Sequence, residues 1–561
     1  MKRILSLILC MLILLSAVAC NRGATPNEPE KNDETTAEDI TTEETTAEAE
    51  SETEPATEPP VPPTAEITEK IIYLMEGESH ALQYTVNEDE NTAGDPVWSA
   101  SSDAVTVEGG VVTAKKDGYA VVSAGGERTC TVRVIPREMP TVSVNTNGVA
   151  ITSRETYVPC LVDVDSTNED FCFEKVTAEI RYRGNSTYDV GKAKRPYRIK
   201  FTSKRNMLGM NEGAECRNWV LLADYFDNSM SRNSTSLSLS SAIVNEYTSD
   251  WRYVRLEING KDLGVFLMAE QAQINENRVA IEEAGEDSPN LESGYLFELD
   301  QSSNNVHEVN VYCTDYYFET VWGEVFDSRT LRFKMENDGM SEAQIEFANK
   351  YMQNVFEIVY RATYKNAYYA LDENYNLVKS DSTDPKEVIS AVIDVDSLVR
   401  KFILDELVCS HDARQKSYYM HADLSENGTG LLTFSCPWDF DFTTYKWSNT
   451  TWDYEFYDPE AFMQPTRTTW YVMIFNHAWF REMVTDYWNT LYAETNGFAA
   501  QLQMLTVISE AYADDFAFDR QLYKRSQPQA EQAQVLKNWL LTRINWFNKT
   551  IGQGDYLIEE K

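Results

Sequence analysis

The sequence predicts an α+β protein: a large two-lobed domain with a mainly helical C-terminal part, preceded by a small all-β sandwich. Three observations carry this expectation. Short alternating apolar runs separated by turn residues recur between Glu69 and Val134, at the spacing of sandwich strands. From about Pro136 the composition shifts to abundant Tyr, Trp and Phe with both helix and strand periodicities, over a length that can bury one sizeable core. Near the end Val535, Trp539 and Trp546, with Leu536, Leu540 and Phe547, recur at helical spacing, a stripe expected to pack inward.

The chain opens on Met1-Lys2-Arg3, an apolar run from Ile4 to Leu15, and Ala17-Val18-Ala19-Cys20, the layout of a signal peptide over residues 1–20. Cysteine directly after Ala-Val-Ala reads as a lipobox, which makes Cys20 the diacylated first residue of the mature protein. Ala17 stands where such boxes usually carry leucine, so an ordinary cleaved signal peptide is the alternative. No later stretch is long and apolar enough to cross a membrane. The expectation is an extracytoplasmic protein, lipid-anchored at Cys20 to the outer face of the cell membrane. Residues 21–66 are Thr, Glu, Ala and Pro, as in Thr41-Thr42-Glu43-Glu44-Thr45-Thr46. They bury too little to offset chain entropy and read as a disordered, self-repelling stalk.

Within residues 67–136 lie Val97-Trp98-Ser99-Ala100-Ser101-Ser102-Asp103 and Gly110-Val111-Val112-Thr113-Ala114. These stretches resemble a bacterial Ig-like domain of the Big-2 type, a spacer or adhesive unit without chemistry of its own. Residues 137–561 form the larger domain.

Charge excludes one class of partner. The 561 residues carry 49 Lys and Arg against 90 Asp and Glu, a formal net charge of −41, whereas phosphate-backbone binding needs a basic surface, so no nucleic acid is expected. An acidic surface favours cationic substrates instead. Beyond Cys10 and Cys20, seven scattered cysteines remain, Cys130, Cys160, Cys172, Cys216, Cys313, Cys409 and Cys436. Their spacing fits neither a zinc site nor a dense disulfide scaffold; most read as buried thiols, with Cys160 and Cys172 one pair that could be bridged. The five histidines do not cluster, which argues against a histidine-based metal enzyme. No Walker A sequence is present, so a P-loop ATPase is excluded.

The segment from Val176 to Phe201 is the most informative. Ile180 and Tyr182 alternate with Arg181 and Arg183, then Gly184-Asn185-Ser186 makes a turn, and Tyr197, Ile199 and Phe201 alternate with Arg198 and Lys200. A hairpin with cations along one face and small residues at its tip is a phosphate cradle or an ordinary hairpin with a solvated basic face. Further along, Asp439 and Asp441 stand two residues apart, so that in an extended segment both point to one side and can meet one cation; a turn that simply favours aspartate is the plainer reading. Asp227 with Arg232 is as readily a structural ion pair.

Arg183 to Ser186 followed by Lys194-Arg195-Pro196-Tyr197-Arg198-Ile199-Lys200-Phe201 resembles the opening signature of the CotH family, atypical protein kinases known from spore coats. Matching pieces follow in order: Asn218 to Asp227 with Arg232-Asn233, Ile258 to Gln271, Gly294 to Asp300, and Pro437-Trp438-Asp439-Phe440-Asp441. The resemblance implies a two-lobed kinase-like fold and an extracytoplasmic enzyme that moves the γ-phosphate of ATP to Ser or Thr of secreted or surface proteins, with Mg²⁺ or Mn²⁺. It implies Asp412 as the catalytic carboxylate in Ser410-His411-Asp412 and Asp439, then Asp441, as metal ligands. It implies Lys200 on the α- and β-phosphates with Lys194 and Arg183 as helpers, Arg183, Gly184, Asn185 and Ser186 covering the phosphates, and Glu270 with Gln271 beside adenine. Ser417 occupies the place where the kinase catalytic loop carries asparagine five residues after the aspartate, which bears on metal binding at that corner. The alternative is a catalytically silent surface-binding or assembly lipoprotein. A carboxylate glycosidase is a third option, for which the paired acids would have to lie about 5 Å apart.

Overall fold

The computed structural model describes residues 61–88, 92–189, 193–285, 288–301, 308–327, 329–446 and 455–556. Cys20, the signal segment and the stalk up to residue 60 lie outside the described residues. Between Thr64 and Ile135 the chain is all β. One sheet orders the strands Ile71–Met75, Cys130–Ile135, Gly118–Ser123 and Ser99–Ala100, and a second orders Ser79–Ala81, Val111–Ala114 and Val105–Glu108. Strict alternation supplies its core: Ala120, Val122, Cys130, Val132 and Val134 point inward from two neighbouring strands and meet Ile72, Leu74 and Val112, as period-2 patterning requires.

A closed barrel follows, built from Thr141–Asn145, Val158–Asp165, Phe173–Tyr182, Tyr197–Arg205, Cys216–Leu222, Lys261–Glu270 and Trp251–Ile258, the last pairing in parallel with the first. Ile180, Tyr197, Ile199, Phe201 and Trp219 fill its interior, so Arg181, Arg198 and Lys200 fall on the outside, as the alternation predicts. Glu179 faces Lys200 and Tyr182 faces Tyr197 across the ladder. The tip is not a tight turn, because Ser186–Asp189 coils into a short helical turn. Gly184 has φ +84°, and a Cβ there would lie 2.2 Å from the Thr187 hydroxyl, so only glycine fits.

The rest is a five-stranded sheet, ordered Glu308–Val311, Leu331–Met335, Gly294–Asp300, Lys416–Asp423, Leu432–Phe434, with helices packed around it. Glu342–Tyr364 carries a capping box in which Ser341 and Gln344 bond each other's backbone, two orphan donors satisfied at once. The last helix, Gln529–Thr550, buries Leu536, Trp539, Leu540 and Phe547, but Val535 is 40% exposed. The expected stripe is therefore narrower by one residue, since Val535 sits about 100° around the helix from Leu536. Among the described residues no helix is long and apolar enough to cross a membrane. No disulfide joins any of the seven described cysteines. Cys160 points into the barrel core while Cys172 is exposed with its thiol against the Ser166 carbonyl, so that suggested bridge is not made.

The helical part is locked by a buried ion pair. Glu406 accepts from Arg543 Nη2 at 2.5 Å and from the Met463 and Gln464 amides at 2.9 and 2.6 Å, with both charged side chains fully buried. Arg543 also donates to the Pro459 and Ala461 carbonyls, which ties the last helix to the segment before Thr469. Removing one partner leaves an uncompensated buried charge. Glu406→Ala is expected to lower unfolding stability by about 3–5 kcal/mol, read as a drop in the urea midpoint, whereas breaking an exposed pair such as Lys204 with Glu276 is expected to change it by under about 1 kcal/mol.

Candidate functional site

Where the barrel exit meets the five-stranded sheet, aspartates from separate stretches gather around one amide. Asn233 lies in the first turn of the Arg232–Ile243 helix. Its Nδ2 donates to Asp224 Oδ1 at 2.8 Å and to Asp441 Oδ1 at 2.7 Å, while its Oδ1 accepts from the Phe440 amide at 3.0 Å. Both amide hydrogens and the carbonyl are thus used. Burial raises Asp441 well above the usual carboxylate range, and the charges of Asp439 and Asp224 add to it. Burial likewise pushes Asp224 up to about 6, and its Oδ2 is buried with no hydrogen-bond partner.

Asp439 accepts from Ser417 Oγ at 3.0 Å. Asp412 opens the single turn Asp412–Arg414 after the Val395–Leu407 helix, and burial followed by the Asp439 charge pushes it up to about 7. Asp224, Ser417, Cys436 and Asp439 all hold φ between +44° and +59°. Left-handed backbone at non-glycine residues costs about 1–3 kcal/mol each and clusters where geometry serves function. Asp227 is different. Burial would raise it, but Arg232 and the Ser229, Ser231 and Arg232 amides outweigh this and hold it low. It caps the helix start and pairs with Arg232, a structural role.

Facing these acids, the barrel presents Arg183, whose guanidinium stands 5.5 Å from the Trp438 ring, next to Asp439. Arg181 and Arg198 lie beside it, paired across the ladder. Burial lowers Arg198 below the usual guanidinium range, and the like charges of Arg181 and Arg183 act in the same direction. The Nε atoms of Arg181 and Arg198 are buried without a hydrogen-bond partner. Below them, Lys334 pairs with Glu336 and lies 3.6 Å from Glu298. Burial and the Glu336 charge push Glu298 up to about 8.

Of the residues nominated from sequence, Asp412, Asp439, Asp441 and Arg183 come together here. Lys200 does not. It is exposed two residues along the strand from Arg198, opposite Glu179 and Asn218, and makes no ion pair among the described residues. Lys194 is fully buried and pairs with Asp519 at 2.7 Å, also donating to the Val265 carbonyl between the Phe266 and Tyr523 rings. Burial drives it down to about 8, and its ammonium is committed to the barrel's contact with the Ala513–Tyr523 helix. Glu270 is also fully buried, consumed by Arg278, Asn211 Nδ2 and the Asp250 amide, so its carboxylate is a strut rather than an open ligand. Asn185 and the Gly184 carbonyl both accept from Arg154, and Ser186 begins the short helical turn. Sequence reasoning missed Arg181 and Arg198 as members of the site although it placed them on the right face. It also missed Asp224, Asn233, Glu298 and Glu336 as members of the site, although the first three lie within the stretches that carry the family resemblance; Glu336 offers only polarity next to core residues.

Among the described residues no three His, Cys, Asp or Glu side chains converge closely enough to hold a metal ion by themselves. The donors available are all carboxylate oxygens, one of them, on Asp224, unpartnered. That set suits Mg²⁺ or Mn²⁺, which take one or two carboxylates and complete their shell with phosphate oxygens and water. One family model, described as CotH kinase protein, matches residues 180–547, from the strand carrying Arg181 to the last helix. No curated protein matches the chain.

Glu298 gives the site a pH signature. Its folded pKa of about 8 lies above the ordinary carboxylate value, so the folded state binds its proton more tightly than the unfolded chain. The associated stability is present below about pH 4 and is lost as pH rises through about 8. Glu298→Gln is expected to raise the thermal midpoint relative to the parent at pH 9 and to lose that advantage at pH 4, checked by thermal melts across that range.

Proposed function

The chain belongs to the CotH kinase family, and from that membership together with the site we propose that it transfers the γ-phosphoryl group of ATP to Ser or Thr hydroxyls of secreted or surface proteins. The observation that carries the reading is the meeting of Asp412 and Asp439, 27 positions apart in the numbering, under the Arg181, Arg183 and Arg198 cluster. Phosphoryl transfer asks a protein for cations on the phosphates, carboxylates for the metal and a carboxylate for the acceptor. Asp439 and Asp441 would hold Mg²⁺ or Mn²⁺, with Asp224 behind them. When bound, the cation offsets charge that builds on the transferring phosphoryl. Arg183 and Arg198 bind the phosphate oxygens with directed, charge-assisted hydrogen bonds. Asp412 takes the acceptor hydroxyl proton as that oxygen bonds to the γ-phosphorus and the bridging oxygen departs on ADP. A carboxylate whose pKa is raised to about 7 suits a base working near neutrality. Lipid anchoring at Cys20, with the stalk as tether and an Ig-like sandwich as spacer, would hold this chemistry at the cell surface.

A second reading, a catalytically silent assembly module, is favoured by Ser417 at the place of the loop asparagine and by the lack, among the described residues, of a preformed metal group. Transfer of label from γ-labelled ATP with Mg²⁺ or Mn²⁺ to Ser-containing peptides decides between them. The intact chain is expected to transfer label, and Asp412→Ala or Asp439→Ala to reduce the rate by about 10²–10⁴-fold; no transfer, with no rise in melting temperature on adding ATP and metal, would leave the silent module. The placement of the cations gives a separate expectation. Arg198→Ala should raise the KM for ATP roughly tenfold while Lys200→Ala changes it less than about twofold, measured by steady-state kinetics.

A further inference from the structure

Beside the turn that Asp412 begins, an open recess of about 110 Å³ is lined by Arg329, Arg414 and Arg467, together with Gln415 and Thr469, and by Asp327 as its single carboxylate. In a chain with 90 acidic against 49 basic residues, three arginines around one recess reverse the local sign. They come from three separate stretches, so chain proximity does not explain their meeting. Arg414 ends the turn that Asp412 begins, two residues along the chain from it.

The recess is also held in place by the same bonds that hold the catalytic turn. Arg467 Nη1 donates to the Tyr457 hydroxyl at 2.9 Å, and that hydroxyl lies 2.5 Å from His411 Nδ1. Because Arg467 has no acceptor to offer, the tyrosine oxygen accepts from it and the tyrosine O–H donates onward to the imidazole. His411 precedes Asp412, and its amide donates to the Phe442 carbonyl. Arg467 is thus fixed relative to Asp412 before any substrate arrives, the preorganisation that makes a charged subsite selective.

We propose that this recess is an acceptor subsite that binds an acidic side chain, a carboxylate or a phosphorylated serine, within three residues of the hydroxyl to be phosphorylated. The inference rests on the kinase reading and names a substrate class for it. A guanidinium presents its donors in a planar fork that matches carboxylate and phosphate oxygens. An extended peptide advances about 3.3–3.6 Å per residue, so an arginine one short turn from Asp412 reaches the neighbours of the acceptor and not distant positions. The subsite therefore selects acidic acceptor sequences, against the preference for cationic substrates that the overall charge implies.

The test uses the full chain and two readouts. First, fluorescence anisotropy without ATP compares labelled peptides of one neutral Ser-containing sequence, bearing alanine, glutamate or phosphoserine at each of the three positions on either side of the serine. The glutamate and phosphoserine peptides are expected to bind roughly tenfold more tightly than the alanine peptide at one position or more, and the Arg329→Gln, Arg414→Gln double variant to remove that preference. Second, kcat/KM for the same peptides is expected to show the same preference in the parent and parity in the variant. No acid preference in binding, or a preference that survives both substitutions, overturns the subsite. Acid-dependent binding lost in the variant, with no phosphate transfer to any peptide, keeps the subsite and overturns the kinase reading instead. Phosphoserine preferred with glutamate ignored assigns the recess to primed substrates, and equal preference assigns it to acidic ones generally; both outcomes support it.

Discussion

The amide of Asn233 is the fastening on which the site depends. Asp224 follows the last residues of a barrel strand and Asp441 follows the edge strand of the five-stranded sheet, and one side chain holds both carboxylates while also taking the Phe440 amide. The neighbouring residue repeats the stitch: Arg232 pairs with Asp227 and donates Nε to the Thr443 carbonyl and to Thr444 Oγ1. Two consecutive residues at one helix start therefore join elements more than 200 positions apart in the numbering. Acids crowded this way repel one another and resist burial, which is why Asp224, Asp412 and Asp441 all titrate high. The scaffold tolerates this crowding together with left-handed backbone at Asp224, Ser417 and Asp439, and like-charge repulsion of this kind is what a cation between carboxylates offsets.

The cations follow a different logic. Arg181, Arg183 and Arg198 are kept close despite their mutual repulsion, and Arg198 is held below its ordinary pKa by burial and by that repulsion. Guanidinium groups stay charged under such conditions, and their planar forks stack on rings, as Arg181 does on Tyr157 and Arg183 on Trp438. Lysine would lose its proton more readily in the same place. The buried lysine of this region, Lys194, shows the effect, since its pKa falls to about 8 even with Asp519 beside it. Its ion pair joins the barrel to the Ala513–Tyr523 helix, and Arg525 extends the link by bonding Asp519 and the backbone carbonyls of Asp224, Tyr225 and Asp227. The position of Asp224 is thereby coupled to the C-terminal helices.

The all-β leader is not isolated from this framework. Arg133 on its Cys130–Ile135 strand pairs with Asp250 at 2.6 Å, whose amide in turn donates to Glu270. Tyr73 bonds Ser238 on the helix that begins with Arg232, and Asn168 Nδ2 reaches the Asp117 carbonyl. The sandwich thus packs against the helix whose first turn organises the carboxylates and forms part of the support for the site.

What the sequence determined by itself was whatever period and local chemistry encode. The inward faces of the sandwich and barrel strands and the outward position of Arg181, Arg198 and Lys200 were legible because a strand alternates every second residue, and the pairing of Asp439 with Asp441 on one side follows from the same period; Asp412 was picked out only by the family resemblance, since a lone carboxylate does not announce its role. What only the tertiary structure decided was which of those residues meet. Lys194, Arg198 and Lys200 stand within six positions of one another, yet one is buried against a helix more than 300 residues later, one joins the site and one faces solvent. That sorting is set by barrel closure and by the packing of distant helices, and a period-2 pattern names the face of a strand but carries no information about what covers it.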